Sequence, residues 1–332
     1  MKKLVSILIL TFIILSFFVV PVFAKTIKWT ANSVWPPKNH QSQGLIEFAE
    51  KVKERTNGKL IISVQVGGAL GYKGPELLKV VRDGLVPLSD FFAGSVAGDE
   101  PLFGINTLPF IVKDFKDAKL LMDVARPYFD KVIEKKWKQK ILYTSPWPGA
   151  GLWTKKPIKS VADMKGLKTR TYDKNGAEVV RITGGTPYAL PYSEVYSSLA
   201  TGLIDSVITS TPTAVDAKFW EVLKYFQRLN ITQAIDFVTV NLRVFNKLPP
   251  EIQKVLIETG KEMEDIMWAR LEEVDNKSEK ICNEHGIISV PVSEEFRKEL
   301  LEITAPLREE WFKKAPADAK SIYEEYMKKR EK

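Results

Sequence analysis

Apolar and polar positions alternate along the chain in two rhythms. Leu60, Ile62, Val64 and Val66 are separated by single, mostly polar residues, the period of a strand with one buried face. Leu45, Phe48, Ala49 and Val52 recur at three- and four-residue spacing, the period of an amphipathic helix, and Asn57-Gly58 supplies its stop. Residues 26–31 predict a strand before that helix. Gly67-Gly68-Ala69-Leu70-Gly71 forms the next turn, Pro75 opens a helix through Leu77, Leu78 and Val81, and residues 86–92 predict a third strand. Strands alternating with helices argue for a largely parallel sheet with helices on its faces.

The rhythm then pauses. Residues 93–112 carry two prolines and two phenylalanines with little periodicity, the composition of a functional loop. A helix follows over 114–136 and a strand over 141–144. Pro146-Trp147-Pro148-Gly149-Ala150-Gly151 reads as a hinge. Beyond it, Ser160-Val161-Ala162-Asp163 is a capping box, 167–172 predicts a strand, and a helix from about residue 175 ends at Gly184-Gly185. A second α/β series on the far side of a hinge predicts two lobes with a cleft between them. Pro249-Pro250 opens a helical pattern that persists to about residue 284, roughly 50 Å at ~1.5 Å per residue. That exceeds one small lobe, so the helix is expected to bridge both. Two more amphipathic helices follow, over 296–312 and 316–327.

The N-terminus bears on the compartment. Lys2-Lys3 precedes an almost wholly apolar run from Leu4 to Val20, and Val22 and Ala24 supply the small −3 and −1 residues of a cleavage site. This predicts an export leader cut near Ala24, with an uncleaved anchor as the alternative. Residues after the leader contain no apolar run long enough to span a bilayer, which predicts a soluble exported protein. One cysteine, Cys282, excludes an intramolecular disulfide framework, and two histidines, His40 and His285, exclude a histidine-rich metal site. The formal charge of +8 falls to +6 once Lys2 and Lys3 are removed. The cluster Lys135-Lys136-Trp137-Lys138 then reads as a solvated helix end, because export removes nucleic acid as a partner.

Catalytic signatures are absent. Gly94-Ser95-Val96-Ala97-Gly98 places its serine wrongly for a nucleophile elbow, there is no phosphate loop, and Cys282 and His285 have no third group to orient them. No metal or cofactor is expected, and Glu221 alone makes no cluster. In Leu167-Lys168-Thr169-Arg170-Thr171-Tyr172, Arg170 sits mid-strand just after the hinge. It either offers a planar fork to a carboxylate or lies on the surface beside a glutamate. Thr209-Ser210-Thr211-Pro212-Thr213 closes a strand over 205–208 with four hydroxyls, which suit either a ligand or a helix cap. Eight tryptophans and seventeen phenylalanines leave rings to spare for a ligand wall.

Several stretches together resemble one family. They are Lys165-Gly166-Leu167-Lys168-Thr169-Arg170, Leu199-Ala200-Thr201-Gly202-Leu203-Ile204-Asp205, Pro191-Tyr192-Ser193-Glu194-Val195-Tyr196 and Phe219-Trp220-Glu221-Val222, with Asn57-Gly58-Lys59, Gly68-Ala69-Leu70-Gly71 and Thr107-Leu108-Pro109-Phe110 before them. In order and spacing they resemble the solute-binding (DctP-type) subunits of tripartite ATP-independent periplasmic (TRAP) transporters. The resemblance implies an α/β, two-lobed periplasmic binding protein with a hinge and a long helix crossing both lobes. It also implies closure on an organic acid and delivery to a TRAP-type membrane permease. On this pattern residues 1–24 are the leader, 25–147 plus 236–275 the first lobe, and 148–235 plus 276–332 the second. The resemblance makes Arg170 the carboxylate ligand and puts Thr209 where sialic-acid members often carry Asn. It also exposes a departure: the second Arg of those members falls on Ala150. One cation with Trp35, Phe92, Trp147 and Tyr172 around it, and hydroxyls from Thr209 and Ser210, predicts an aromatic or otherwise apolar monocarboxylate as the ligand. A C4-dicarboxylate or sugar acid is the alternative within the family, and an exported hydrolase the alternative outside it.

Overall fold

The computed structural model describes residues 26–331; the leader expected over 1–24 lies outside them. Two sheets form the frame. The first contains β1 (Ile27–Asn32), β2 (Leu60–Gln65), β3 (Leu88–Phe92), β4 (Gln139–Pro146) and β10 (Ile235–Asn241), in the order β2-β1-β3-β10-β4. The second contains β5 (Gly151–Thr154), β6 (Lys168–Thr171), β7 (Thr186–Ala189), β8 (Ser206–Thr209), β9 (Tyr225–Gln227) and β11 (Ile288–Ser289), in the order β11-β9-β5-β8-β6-β7. β1, β2 and β3 pair in parallel, while β10 runs antiparallel between β3 and β4. β6, β7 and β8 pair in parallel, and β5 runs antiparallel to β8.

Helices cover both faces of each sheet. In the first lobe α1 (His40–Arg55) buries Leu45, Phe48, Ala49 and Val52 against one face, and α3 (Phe115–Lys135) packs on the other, with the short α2 (Leu77–Arg82) beside it. Asn39 caps α1 and Asp114 caps α3, each accepting from a backbone N–H in the first turn. In the second lobe α4 (Lys174–Ile182) is capped by Asp173, which accepts from Gly176 N at 2.8 Å. Two short helices follow there, α5 (Val195–Ala200) and α6 (Thr211–Asp216).

Two strand-to-strand crossings join the lobes, β4 to β5 and β9 to β10. They are zipped together by Trp147 N to Ala234 O, Ala150 N to Thr232 O and Ile231 N to Ala150 O, each 2.9 Å. Gly151 is required at the second-lobe end. A β-carbon there would sit 2.6 Å from the Gln227 carbonyl oxygen and 2.3 Å from the Phe226 ring.

The expected long helix is present but broken. After α7 (Leu242–Phe245), α8 (Pro250–Ala269) lies against β4 and α1 in the first lobe. The turn at Arg270 follows, and α9 (Leu271–Glu284) continues against α6 in the second lobe. Gly260 lets α8 approach the sheet: a β-carbon would come 2.3 Å from the Leu142 carbonyl oxygen. Beyond α10 (Glu294–Lys314), which buries Phe296 and Leu300 in the second lobe, the C-terminal α11 (Ala317–Arg330) departs from the expected division. Its buried face, Ala319, Ile322 and Tyr326, joins the core of the first lobe with Phe129 and Ile105, and Arg330 pairs with buried Asp117 of α3 at 3.1 Å. Assigning 276–332 to the second lobe is therefore wrong for this last helix. A polar-faced terminal helix gives no sequence sign of which core it will cover.

Candidate functional site

The topology sets where a site forms. The carboxyl ends of β1, β3 and β4 and the start of β10 share one edge of the first sheet. The carboxyl ends of β6, β7 and β8 and the start of β5 share one edge of the second. The residues just past these edges face each other across the hinge, the place where open α/β sheets bind ligands.

A cavity lies there, with about 400 Å³ of space between its walls that is partly open to solvent. All seven residues singled out from the sequence line it: Trp35, Phe92, Trp147, Arg170, Tyr172, Thr209 and Ser210. Sequence reasoning missed Pro148, Tyr192, Thr213 and Ala234, which also line it. Tyr192 and Thr213 stand within segments that reading had already quoted. Phe91 and Trp153, equally aromatic and close in sequence, face the cores instead. Alternation along a strand explains Phe91. Trp153 supports the site from behind, donating from Nε1 to the Thr209 carbonyl at 3.1 Å while stacking on Phe226.

Arg170 is 4% exposed. Its Nε donates to Leu190 O at 3.0 Å, which orients the guanidinium and leaves the terminal nitrogens for the cavity. Among the described residues no carboxylate lies within ion-pair distance of it, so the surface Arg–Glu pair left open by the sequence is not what forms. Burial pulls its pKa down to about 10, with Tyr172, Asp173 and Tyr192 opposing; it is still a cation near neutrality. Asp173, three residues on, is committed to capping α4, and burial raises its pKa to about 6. Ala150 lines the cavity, so that position brings no second cation.

The rest of the lining is aromatic and hydroxylic. Trp35 and Trp147 meet edge to face with centroids 4.6 Å apart, and Phe92 meets Tyr172 the same way at 5.1 Å. The Tyr172 hydroxyl is bonded to that of Thr232, tying the second lobe to the hinge. Ser210 and Thr213 hydroxyls lie 3.1 Å apart. The cleft is shut in this structure: Asn39 Nδ2 donates to Asp216 Oδ2 at 2.5 Å, Trp35 meets Tyr192 at 5.9 Å, and Lys73 pairs with Glu194 at 3.2 Å, each joining one lobe to the other.

The residues weighed for catalysis lie elsewhere. Cys282 is buried, with its thiol pushed up to about 12, and His285 stacks on Trp220 while its Nδ1 contacts Ile281 O. Glu221 accepts from the Tyr196 hydroxyl. Among the described residues no group of three or more His, Cys, Asp or Glu could hold a metal.

Comparison with known proteins agrees with this geometry. The model of bacterial extracellular solute-binding protein family 7 (DctP) matches residues 31–315. An extracytoplasmic solute receptor of Bordetella pertussis that binds pyroglutamic acid superposes with a TM-score of 0.88 at 30% identity, covering 91% of this chain and all of that one. A solute-binding protein of Chromohalobacter salexigens is 28% identical over 210 residues, and the alignment spans 61% of its length. A monocarboxylate 2-oxoacid-binding periplasmic protein of a Nostoc species is 26% identical over 320 residues, 90% of this chain and 83% of that relative.

Proposed function

The chain belongs to the bacterial extracellular solute-binding proteins of family 7, receptors rather than enzymes, and from that premise we propose that its cleft captures a small monocarboxylic acid with an aromatic or otherwise apolar body. Arg170 grips the carboxylate with its terminal nitrogens. Trp35, Phe92, Trp147 and Tyr172 enclose the body, and Thr209 and Ser210 add hydroxyl contacts. The loaded, closed protein then docks on a TRAP-type membrane permease. Export with cleavage near Ala24 belongs to the same proposal.

The observation that carries this reading is the buried guanidinium, aimed into an aromatic cavity with no protein carboxylate beside it. Burying a charge without a partner is costly, and an incoming carboxylate removes that cost with two charge-assisted hydrogen bonds. The same cation, single among the lining residues, disfavours dicarboxylates. The aromatic wall disfavours polyhydroxylated sugar acids, because Trp35, Phe92 and Trp147 offer the hydroxyls that face them no hydrogen bond in place of water. Pyroglutamic acid, a small cyclic monocarboxylate, is a second reading favoured by the Bordetella receptor. Ligand contact with both lobes supplies the differential affinity that closure requires.

A thermal-shift panel of aromatic, 2-oxo, lactam, dicarboxylic and sugar acids, with mass spectrometry of small molecules released from the purified protein, tests the proposal. Stabilisation by monocarboxylates is expected. Stabilisation by dicarboxylates or sugar acids alone would overturn the ligand class.

A further inference from the structure

Trp35 and Trp147 reach the cavity from different elements, yet both indole N–H groups end on one carboxylate. Trp35 Nε1 donates to Oδ2 of Asp236 and Trp147 Nε1 to Oδ1, each at 2.7 Å. Asp236 is fully buried, stands outside the cavity lining, and sits on the interior strand β10 between Phe92 of β3 and Ser145 of β4. Asp90 lies diagonally from it on β3, opposite Val238, and accepts from the Ser33 hydroxyl at 2.9 Å. Among the described residues no cation bonds to either acid. Stability alone does not recommend two buried acids so placed: burial raises the pKa of both, and the two indoles only partly oppose this for Asp236.

An indole has one polar atom, and it is a donor. With both donors consumed behind the wall, Trp35 and Trp147 turn only carbon toward the cavity. We infer that Asp236 is a positioning residue that sets ligand selectivity: it withdraws two hydrogen-bond donors from the binding site and so keeps that wall apolar. This rests on the carboxylate-binding reading of the cavity.

Asp236→Asn tests it. The amide keeps the shape but has one oxygen, and its NH₂ faces an indole N–H, donor against donor. One indole must let go, and its N–H becomes available to the ligand. Calorimetry compares two five-membered-ring acids of similar outline, cyclopentanecarboxylate and pyroglutamate, the latter with a lactam acceptor. Relative to the parent protein, Asp236→Asn is expected to shift the affinity ratio about tenfold toward pyroglutamate, the worth of one hydrogen bond. Adding Trp35→Phe or Trp147→Phe, whichever removes the freed donor, restores the parent ratio. A merely structural role lowers both affinities in step, and an unchanged ratio overturns the inference.

A second readout needs no ligand. Among the eight indole N–H resonances, those removed by Trp35→Phe and Trp147→Phe are expected to exchange slowly with solvent in the parent protein, and one of them quickly in Asp236→Asn. Two unchanged rates overturn the pinning. Arg170→Gln separates the two ideas, because it weakens both acids and leaves their ratio and the indole exchange alone. If the parent protein binds neither acid, the selectivity claim falls with the reading of the cavity.

Discussion

Replacing Arg170 with Met should make the unliganded protein more stable while removing acid binding. The guanidinium is buried, and its pKa falls from the ordinary 12.5 to about 10 because burial disfavours the charge. At ~1.4 kcal/mol per tenfold this corresponds to roughly 3 kcal/mol of destabilisation carried by the unliganded fold. Met fills similar space without charge, but it leaves the Leu190 carbonyl without the Nε donor, which costs about 1 kcal/mol. The net gain is about 2 kcal/mol, a rise of several degrees in the melting temperature of the ligand-free protein. Binding moves the other way. Two charge-assisted hydrogen bonds at about 1.5–3 kcal/mol each predict a roughly 10²- to 10⁴-fold loss of affinity. Differential scanning fluorimetry without ligand and calorimetry with a stabilising acid measure the two effects. A variant that melts lower and keeps its affinity within about tenfold would refute the reasoning, since Arg170 would then be a structural residue.

Three further outcomes are expected. Asp216, which meets Asn39 across the cleft, is a carboxyl whose pKa burial raises from 3.8 to about 6, with the Asn39 hydrogen bond opposing; the contribution of its proton favours closure fully below 3.8 and is lost as pH rises through about 6. Affinity for an acid that remains ionised should therefore weaken roughly tenfold between about pH 5 and 7.5, and Asp216→Asn should flatten that profile; an identical slope in the variant would refute the link. Thr209→Val keeps the shape and deletes a hydroxyl at the cavity, so it should weaken acid binding by about tenfold or less with little change in melting temperature, measured by the same calorimetry. Gly260→Ala should cost about 1–3 kcal/mol or more, because the added methyl meets backbone of β4 rather than a movable side chain, and chemical denaturation would show it.

The local chemistry of the sequence determined a good deal of this protein. The period-3.6 and period-2 patterns around residues 45–66 correspond to α1 and β2, and the Pro-Trp-Pro-Gly run corresponds to one of the two strand-to-strand crossings between the lobes. Asp114 and Asp173 cap helices as short polar residues before helical runs do. Arg170 stands in a polar strand, Lys168-Thr169-Arg170-Thr171, whose residues alone leave a surface ion pair open; the family resemblance pointed it to the cavity that it lines. The second crossing, residues 228–234, has no glycine or proline to mark it; only the family resemblance put a lobe boundary beside it, at 235/236, and it becomes a hinge by pairing with the first.

Tertiary structure decided the rest. Periodicity distinguishes buried from exposed, but a residue facing a cavity and one facing a core have the same apolar character. Trp147 and Trp153 therefore look alike in sequence and part company in the fold. The core that α11 covers, the break at Arg270 and the convergence of two indoles on Asp236, one of them from 201 residues away, depend on which elements come into contact. Such contacts are long-range pairings selected by the packing of whole lobes, and no window along the chain contains both partners.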